Sequence, residues 1–302
     1  MKVAFYAYQN RGLGHIVRSA NLIGKLQQIG GFSLALVAGT AWYPELPPEV
    51  DLIRLPPASE PLHLPEAVSA LQLRSEKICA FCRRWEPDCL IVDHLPLGLG
   101  AELLPVLDAA ATEGWKTRFA IGIPYREGMN LKLGQNPRVA RAYGQYSFGL
   151  GYTEQEIEPV LEELTAFPVL THLEYIGVIT PSLVRPRPEA IVESSGKCAV
   201  VLCGGGYATP RFFDLVEAAC RLLLRQAGMK MYFVAGPLAE RIGDEQRRTA
   251  FPEIEVLREG RAEDWATRAD VVIARCGYNT SYTVMQGSVP AIFVPLPGND
   301  PI

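Results

Sequence analysis

With 302 residues, 48% of them hydrophobic, the chain can bury two cores of ordinary domain size, and no stretch is long and apolar enough to cross a bilayer. Its formal net charge of −4 leaves no basic face for a run of nucleic-acid phosphates: up to Thr180 there are 15 basic against 19 acidic residues, and afterwards 14 against 14. Seven cysteines, an odd number scattered through apolar runs, predict reduced buried thiols in a cytoplasmic protein and no disulfide framework.

Met1 to Gln9 reads as a strand entering a fold, with no basic segment followed by an apolar one, so no signal peptide is expected. The strand Val3 to Tyr8 runs into a glycine turn, Gly12-Leu13-Gly14-His15, and then a helix carrying Ile16, Ala20, Ile23 and Leu26 on one face. That turn places His15 at a helix N-terminus on the carboxyl edge of a sheet, where open α/β folds bind ligands. A helix N-terminus favours the neutral imidazole, so His15 is a candidate general base, or else a helix cap or phosphate contact. Arg18, one turn on, faces the same side or is an ordinary surface arginine.

Further strands are predicted at Ser33 to Ala38, Asp51 to Leu55, Asp88 to Val92, Thr117 to Gly122, Tyr146 to Tyr152 and Tyr175 to Val178, with helical segments between most of them. This alternation predicts a parallel sheet covered by helices on both faces. A helix from about Glu66 to Arg84 carries Cys79 and Cys82; with no second CxxC and no nearby histidine pair, they read as buried thiols on an amphipathic helix. Asp93 and His94 follow a strand directly, at the same sheet edge as His15. Asp93 reads from its place as a cap of the next helix or a partner of loop amides, and His94 faces the same crevice as His15. Pro96 to Leu107 is apolar and glycine-rich, read as core, with an acceptor pocket or peripheral membrane contact as alternatives. Arg126 ends another strand-to-loop transition and is a candidate for the acceptor side.

Around Thr180 to Ser195 three prolines and lost periodicity mark a linker, set at residues 183–195, that divides an N-terminal domain of residues 1–182 from a C-terminal domain of residues 196–302. The second domain opens on a strand, Cys198 to Cys203, running into Gly204-Gly205-Gly206, with a helix expected after Pro210. Later strands are predicted at Met231 to Ala235, Glu253 to Leu257, Val271 to Ala274 and Ala291 to Val294. After the strand at Val271 come Gly277-Tyr278-Asn279-Thr280 and a short helix, with Asn279 or Thr280 as the expected N-cap and Gly287 as its stop. Backbone N–H groups at both glycine turns are free to meet an anion, most simply a diphosphate.

Gly277-Tyr278-Asn279-Thr280, a short helix and then Gly287-x-Val289-Pro290-Ala291-x-x-Val294-Pro295 together resemble the donor-binding segment of nucleotide-sugar glycosyltransferases of the GT-B fold. Within these the resemblance is to the group containing the bacterial peptidoglycan N-acetylglucosaminyltransferase. The segment GLGHIVRSANLIGKL resembles the same enzymes and also UDP-sugar hydrolases of that fold. The resemblance implies two Rossmann-like α/β domains facing a cleft, a UDP-sugar as donor substrate, a small-molecule acceptor on the first domain and no cofactor. It implies that His15 activates the nucleophile, with Asp93 in a place where an aspartate orients such a histidine, and that Arg261 lies in the loop near the nucleotide base. This sequence departs from the pattern at Thr283, where those relatives carry a glutamate for the ribose hydroxyls. It also stops at Ile302, where they continue, so the second domain is expected to be a shortened one. No Asp-x-Asp pair occurs, which disfavours a divalent metal on the diphosphate.

Overall fold

The computed structural model describes residues 1–8, 12–57, 62–124, 136–156, 172–181, 197–205, 212, 215–217, 219, 221, 229–238, 254–257, 262–265 and 267–295. The chain divides into two compact units, one formed mainly by the chain as far as Ile179 and the other mainly from Thr180 onward. The proposed linker, and with it Arg126, Gly206 and Arg261, lies outside the described residues, as does most of the helix expected after Pro210.

In the first unit the elements run β1 (Lys2–Ala7), α1 (Gly14–Ile29), β2 (Ser33–Ala38), β3 (Asp51–Arg54), α2 (Pro65–Trp85), β4 (Cys89–Asp93), a single 3₁₀ turn (Leu99–Ala101), α3 (Leu104–Glu113), β5 (Arg118–Ile123), α4 (Pro137–Tyr143), β6 (Phe148–Gly151) and β7 (Leu173–Tyr175). The seven strands form one parallel sheet in the order β3-β2-β1-β4-β5-β6-β7. Strands such as FYA of β1 and LALV of β2 are buried along their length, as a sheet with both faces covered requires. Because β1 lies between β2 and β4, the chain winds outward in opposite directions on its two sides. The carboxyl ends of β1 and β4 therefore flank a topological switch point, the place where this kind of sheet opens a crevice.

In the second unit β8 (Cys198–Leu202), β9 (Lys230–Val234), β10 (Ile254–Leu257), α5 (Ala262–Trp265), β11 (Val271–Arg275), α6 (Tyr278–Gln286) and β12 (Ala291–Val294) follow. Its five strands are again parallel, in the order β10-β9-β8-β11-β12, with β8 at the switch point. Two apolar clusters cover the faces of this sheet, one including Val201, Phe212, Phe233 and Ile273 and the other Val200, Tyr232, Trp265 and Val284.

Several expectations are corrected in detail. Strand β6 starts two residues later than predicted, because Tyr146 turns inward to donate its hydroxyl to the Pro96 carbonyl at 2.6 Å. Strand β7 covers Leu173–Tyr175 and not Tyr175 to Val178. Gly149 pairs with Leu173, and Gly177 takes a left-handed φ of 71°, which a strand cannot accommodate. The segment Pro96 to Leu107 enters the core, where Leu99, Leu103, Val106 and Leu107 are buried. Cys79 and Cys82 are buried on α2, and burial pushes the Cys82 thiol up to about 12, so it stays protonated. Among the described residues no helix is long and apolar enough to cross a membrane.

Three residues in the first core escaped the sequence reading. Arg74 of α2 is fully buried, and its guanidinium grips the Glu102 carboxylate, with Nη2 donating to Oε1 at 2.8 Å and Nε to Oε2. The Tyr6 hydroxyl donates to the same carboxylate and accepts the Leu99 N–H at 3.2 Å. Arg74 Nη1 donates to the Pro56 carbonyl at 2.7 Å, so the buried cation and anion are matched and hydrogen-bonded.

Candidate active site

His15 lies in the first turn of α1, immediately after the loop that leaves β1, and Asp93 is the last residue of β4. Since β1 and β4 are hydrogen-bonded neighbours, with Tyr6 opposite Val92, the parallel pairing alone brings the two side chains to one sheet edge. There the His15 Nδ1 stands 2.6 Å from Asp93 Oδ2. Arg18, one turn further along α1, sends Nε to Asp93 Oδ1 at 3.0 Å and Nη2 to Oδ2 at 2.8 Å. All three are buried, His15 to 8%, Arg18 to 3% and Asp93 to 2% exposure.

Burial opposes ionisation of Asp93, but the Arg18 guanidinium, and then the imidazole, more than offset it and draw the carboxyl down to about 2. An ionised carboxylate only accepts hydrogen bonds. The hydrogen shared with His15 therefore sits on Nδ1, which leaves Nε2 of the neutral ring with a lone pair, the state a general base requires. The capping reading of Asp93 and the surface reading of Arg18 are both replaced by this arrangement.

His94 follows Asp93 with a left-handed φ of 74°, an uncommon conformation for a residue with a side chain. Its N–H donates to the Gly122 carbonyl at 2.9 Å, and its ring lies parallel to that of His15 with centroids 5.9 Å apart. Tyr8 packs on His15 as well, its ring centroid 4.1 Å from that of the imidazole and tilted to it. Arg18 in turn rests on Tyr152, with its guanidinium carbon 5.2 Å from the ring centre. Tyr152 has room there because residue 122 is glycine: a Cβ at Gly122 would stand 1.9 Å from the Tyr152 hydroxyl. Tyr8 and Tyr152 were missed as site residues; the signal for both was their place at the carboxyl ends of predicted strands. Gly12 lies in the turn before α1 and Gly14 opens the helix, both exposed.

In the second unit the candidate anion-binding turns follow β8 and β11, which are neighbours, with Leu202 opposite Ala274. The two turns thus leave the same edge of the sheet, at its switch point. Gly204 takes a left-handed φ of 74°, which explains a glycine there. Helix α6 begins at Tyr278 with Gly277 as N-cap, so Asn279 and Thr280 sit inside the first turn and are not its cap. A Cβ at Gly277 would meet nothing within 4 Å. The first-turn N–H groups of Tyr278, Asn279 and Thr280 have no acceptor within the helix itself. Thr283 is 2% exposed, so its hydroxyl has almost no open surface to offer a ribose.

No protein-family model matches the sequence, and no curated protein matches it. Solved structures do resemble it in fold. One is Phytolacca americana UGT2 complexed with UDP-2fluoro-glucose and pterostilbene, at 16% identity and a TM-score of 0.63, over 98% of this chain and 80% of that one. Another is TcCGT1 in complex with UDP, at 13% identity and a TM-score of 0.65, over 98% and 81% of the two chains. A third is Arabidopsis thaliana UGT89C1 complexed with UDP-L-rhamnose, at 16% identity and a TM-score of 0.61, over 99% and 80%. At these identities the likeness is one of fold: the two parallel-sheet α/β units are those of the GT-B architecture.

Proposed function

We propose that the protein is an inverting, metal-independent glycosyltransferase that moves a hexosyl group from a UDP-sugar to a hydroxyl acceptor. The observation that carries this reading is the buried pair of His15 and Asp93 at the switch point of the first sheet, with Nδ1 turned to the carboxylate. In the reaction Nε2 removes the acceptor hydroxyl proton as the oxygen attacks the anomeric carbon from the face opposite the diphosphate. The bond from that carbon to the diphosphate oxygen breaks, UDP departs with its electron pair, and the configuration at the anomeric carbon inverts. Asp93 keeps the imidazolium in place as it forms.

The second unit supplies the donor site. Amides at Gly204, Gly205 and Gly206 and at Gly277 to Thr280 meet the diphosphate and stabilise the charge that develops on it, and Arg261 serves the base. Gly12, Gly14, His94 and Arg126 belong to the acceptor side. That these solved neighbours are complexed with UDP or UDP-sugars supports UDP as the nucleotide. The kinship with the peptidoglycan enzyme rests on the Gly277 to Pro295 pattern and on the segment from Gly12 to Leu26. A cytoplasmic location is supported by the free cysteines, of which Cys79, Cys82, Cys89, Cys198 and Cys203 are buried.

The discriminating experiment follows donor consumption with and without a panel of hydroxylated acceptors. A UDP-sugar consumed only when acceptor is present, with a product of inverted configuration, is the expected result. Consumption without acceptor makes the protein a UDP-sugar hydrolase or epimerase, and binding without consumption a nucleotide-sugar-binding subunit; either outcome overturns the transferase reading.

A further inference from the structure

The guanidinium of Arg18 is placed as few surface arginines are. It is buried to 3% exposure, carried on the ring of Tyr152, and forked onto Asp93 so that each carboxylate oxygen receives one N–H. Its Nη2 also lies 3.1 Å from His15 Nδ1. Because that nitrogen already carries the hydrogen given to Asp93 Oδ2, the contact sets two donors side by side on one oxygen and is not itself a hydrogen bond. We propose that Arg18 is a positioning residue for His15: by holding Asp93 through both carboxylate oxygens it fixes which imidazole nitrogen bears the proton, and by its charge it keeps the ring neutral to lower pH.

The first half of this follows from geometry. A carboxylate held at one oxygen turns about its terminal bond, whereas two parallel N–H donors from a planar fork fix the plane and aim Oδ2 at Nδ1. The second half follows from charge. An imidazole paired with a lone buried carboxylate is drawn toward the imidazolium form, which has no lone pair to accept a proton, so its base form is confined to higher pH. A guanidinium on the same carboxylate cancels most of that field and adds its own repulsion. Of the other groups described around the ring, Tyr8 packs with its ring centroid 4.1 Å away, and His94 lies parallel at 5.9 Å. Among the described residues the charged side chains shown against the ring are Asp93 and Arg18.

The test needs no substrate, so its outcome is independent of the glycosyl-transfer reading. The chain has four histidines, and ¹⁵N and ¹³C ring signals can be assigned to His15 and followed against pH. In Arg18→Met the His15 midpoint is expected to rise by about one pH unit or more, the usual scale for removing a cation at this range. Arg18→Lys keeps the charge and loses the fork, so it should return the midpoint most of the way toward wild type. An unchanged or lower midpoint in Arg18→Met overturns the proposal, as does an Arg18→Lys midpoint no different from that of Arg18→Met.

Should Arg18→Met fail to fold, the Arg18→Lys midpoint and the wild-type tautomer decide. Above the midpoint the wild-type ring must show its proton on Nδ1, and a proton on Nε2 overturns the proposal. Where turnover is measurable, the acid limb of kcat/KM should move with the same midpoint, and Arg18→Lys should keep the wild-type limb at reduced kcat.

Discussion

The His15→Ala protein is expected to turn over about 10²- to 10⁴-fold more slowly than the wild type, the usual contribution of one positioned base, with its affinity for UDP nearly unchanged. The two halves of this prediction come from different units of the chain. In the proposed reaction Nε2 of His15 is the proton acceptor, and removing it takes away an interaction that matters only as the acceptor oxygen attacks. The groups assigned to the diphosphate, at Gly204 to Gly206 and Gly277 to Thr280, belong to the second sheet and are left as they were. Nor should the protein unfold. Asp93 keeps both of its bonds from Arg18 in the variant, so no buried carboxylate is stranded. Steady-state turnover, with calorimetric titration of UDP into both proteins, checks the two parts together. Unchanged turnover removes His15 from the mechanism, and a large loss of UDP affinity makes it a donor ligand.

Arg74→Ala is expected to destabilise the first unit by about 3–5 kcal/mol, the usual consequence of deleting one partner of a buried ion pair. Glu102 would stay enclosed with the Tyr6 hydroxyl and no cation. Gly39 offers an independent approach to the same group: a Cβ there would lie 2.0 Å from Arg74 Nη1 and 3.0 Å from the Pro56 carbonyl oxygen that Nη1 bonds. Gly39→Ala should therefore displace the guanidinium and destabilise in the same direction. Conversely, Arg74→Met combined with Glu102→Gln removes both charges and should recover much of what Arg74→Ala loses. Denaturant unfolding of the three variants measures this, and an Arg74→Ala midpoint equal to wild type would contradict the account of the cluster.

What the sequence made legible follows from range. The strand, glycine turn and helix at residues 3–29 are written in local periodicity, and their order in the chain already placed His15 at a sheet edge. The same holds for β11, α6 and β12, where β-branched runs and glycine stops lie within a few residues of the features they govern. The partner of Asp93 was not legible in this way. Capping a helix nearby and meeting a histidine 78 positions earlier are equally open to an aspartate at a strand end, and only the pairing of β1 with β4 decides between them. Arg74 shows the same limit. An arginine on an amphipathic helix reads as solvated, and nothing near it announces that Glu102 will be folded against it from the turn before α3. The N-cap of α6 was misplaced by two to three residues because Asn279 and Thr280 are good caps in composition, yet the chain is already helical at Tyr278.

The central claim is that this fold binds a nucleoside diphosphate through the glycine turns of its second sheet, and a thermal-shift titration tests it with the protein alone. UDP should raise the unfolding temperature progressively with concentration, by mass action on the folded state. UMP should do so less, since it lacks the phosphate that the turns at Gly204 and Gly277 are assigned to hold, and ADP and GDP less again if the base is read. A melting temperature unmoved by UDP and by every other diphosphate would contradict the account.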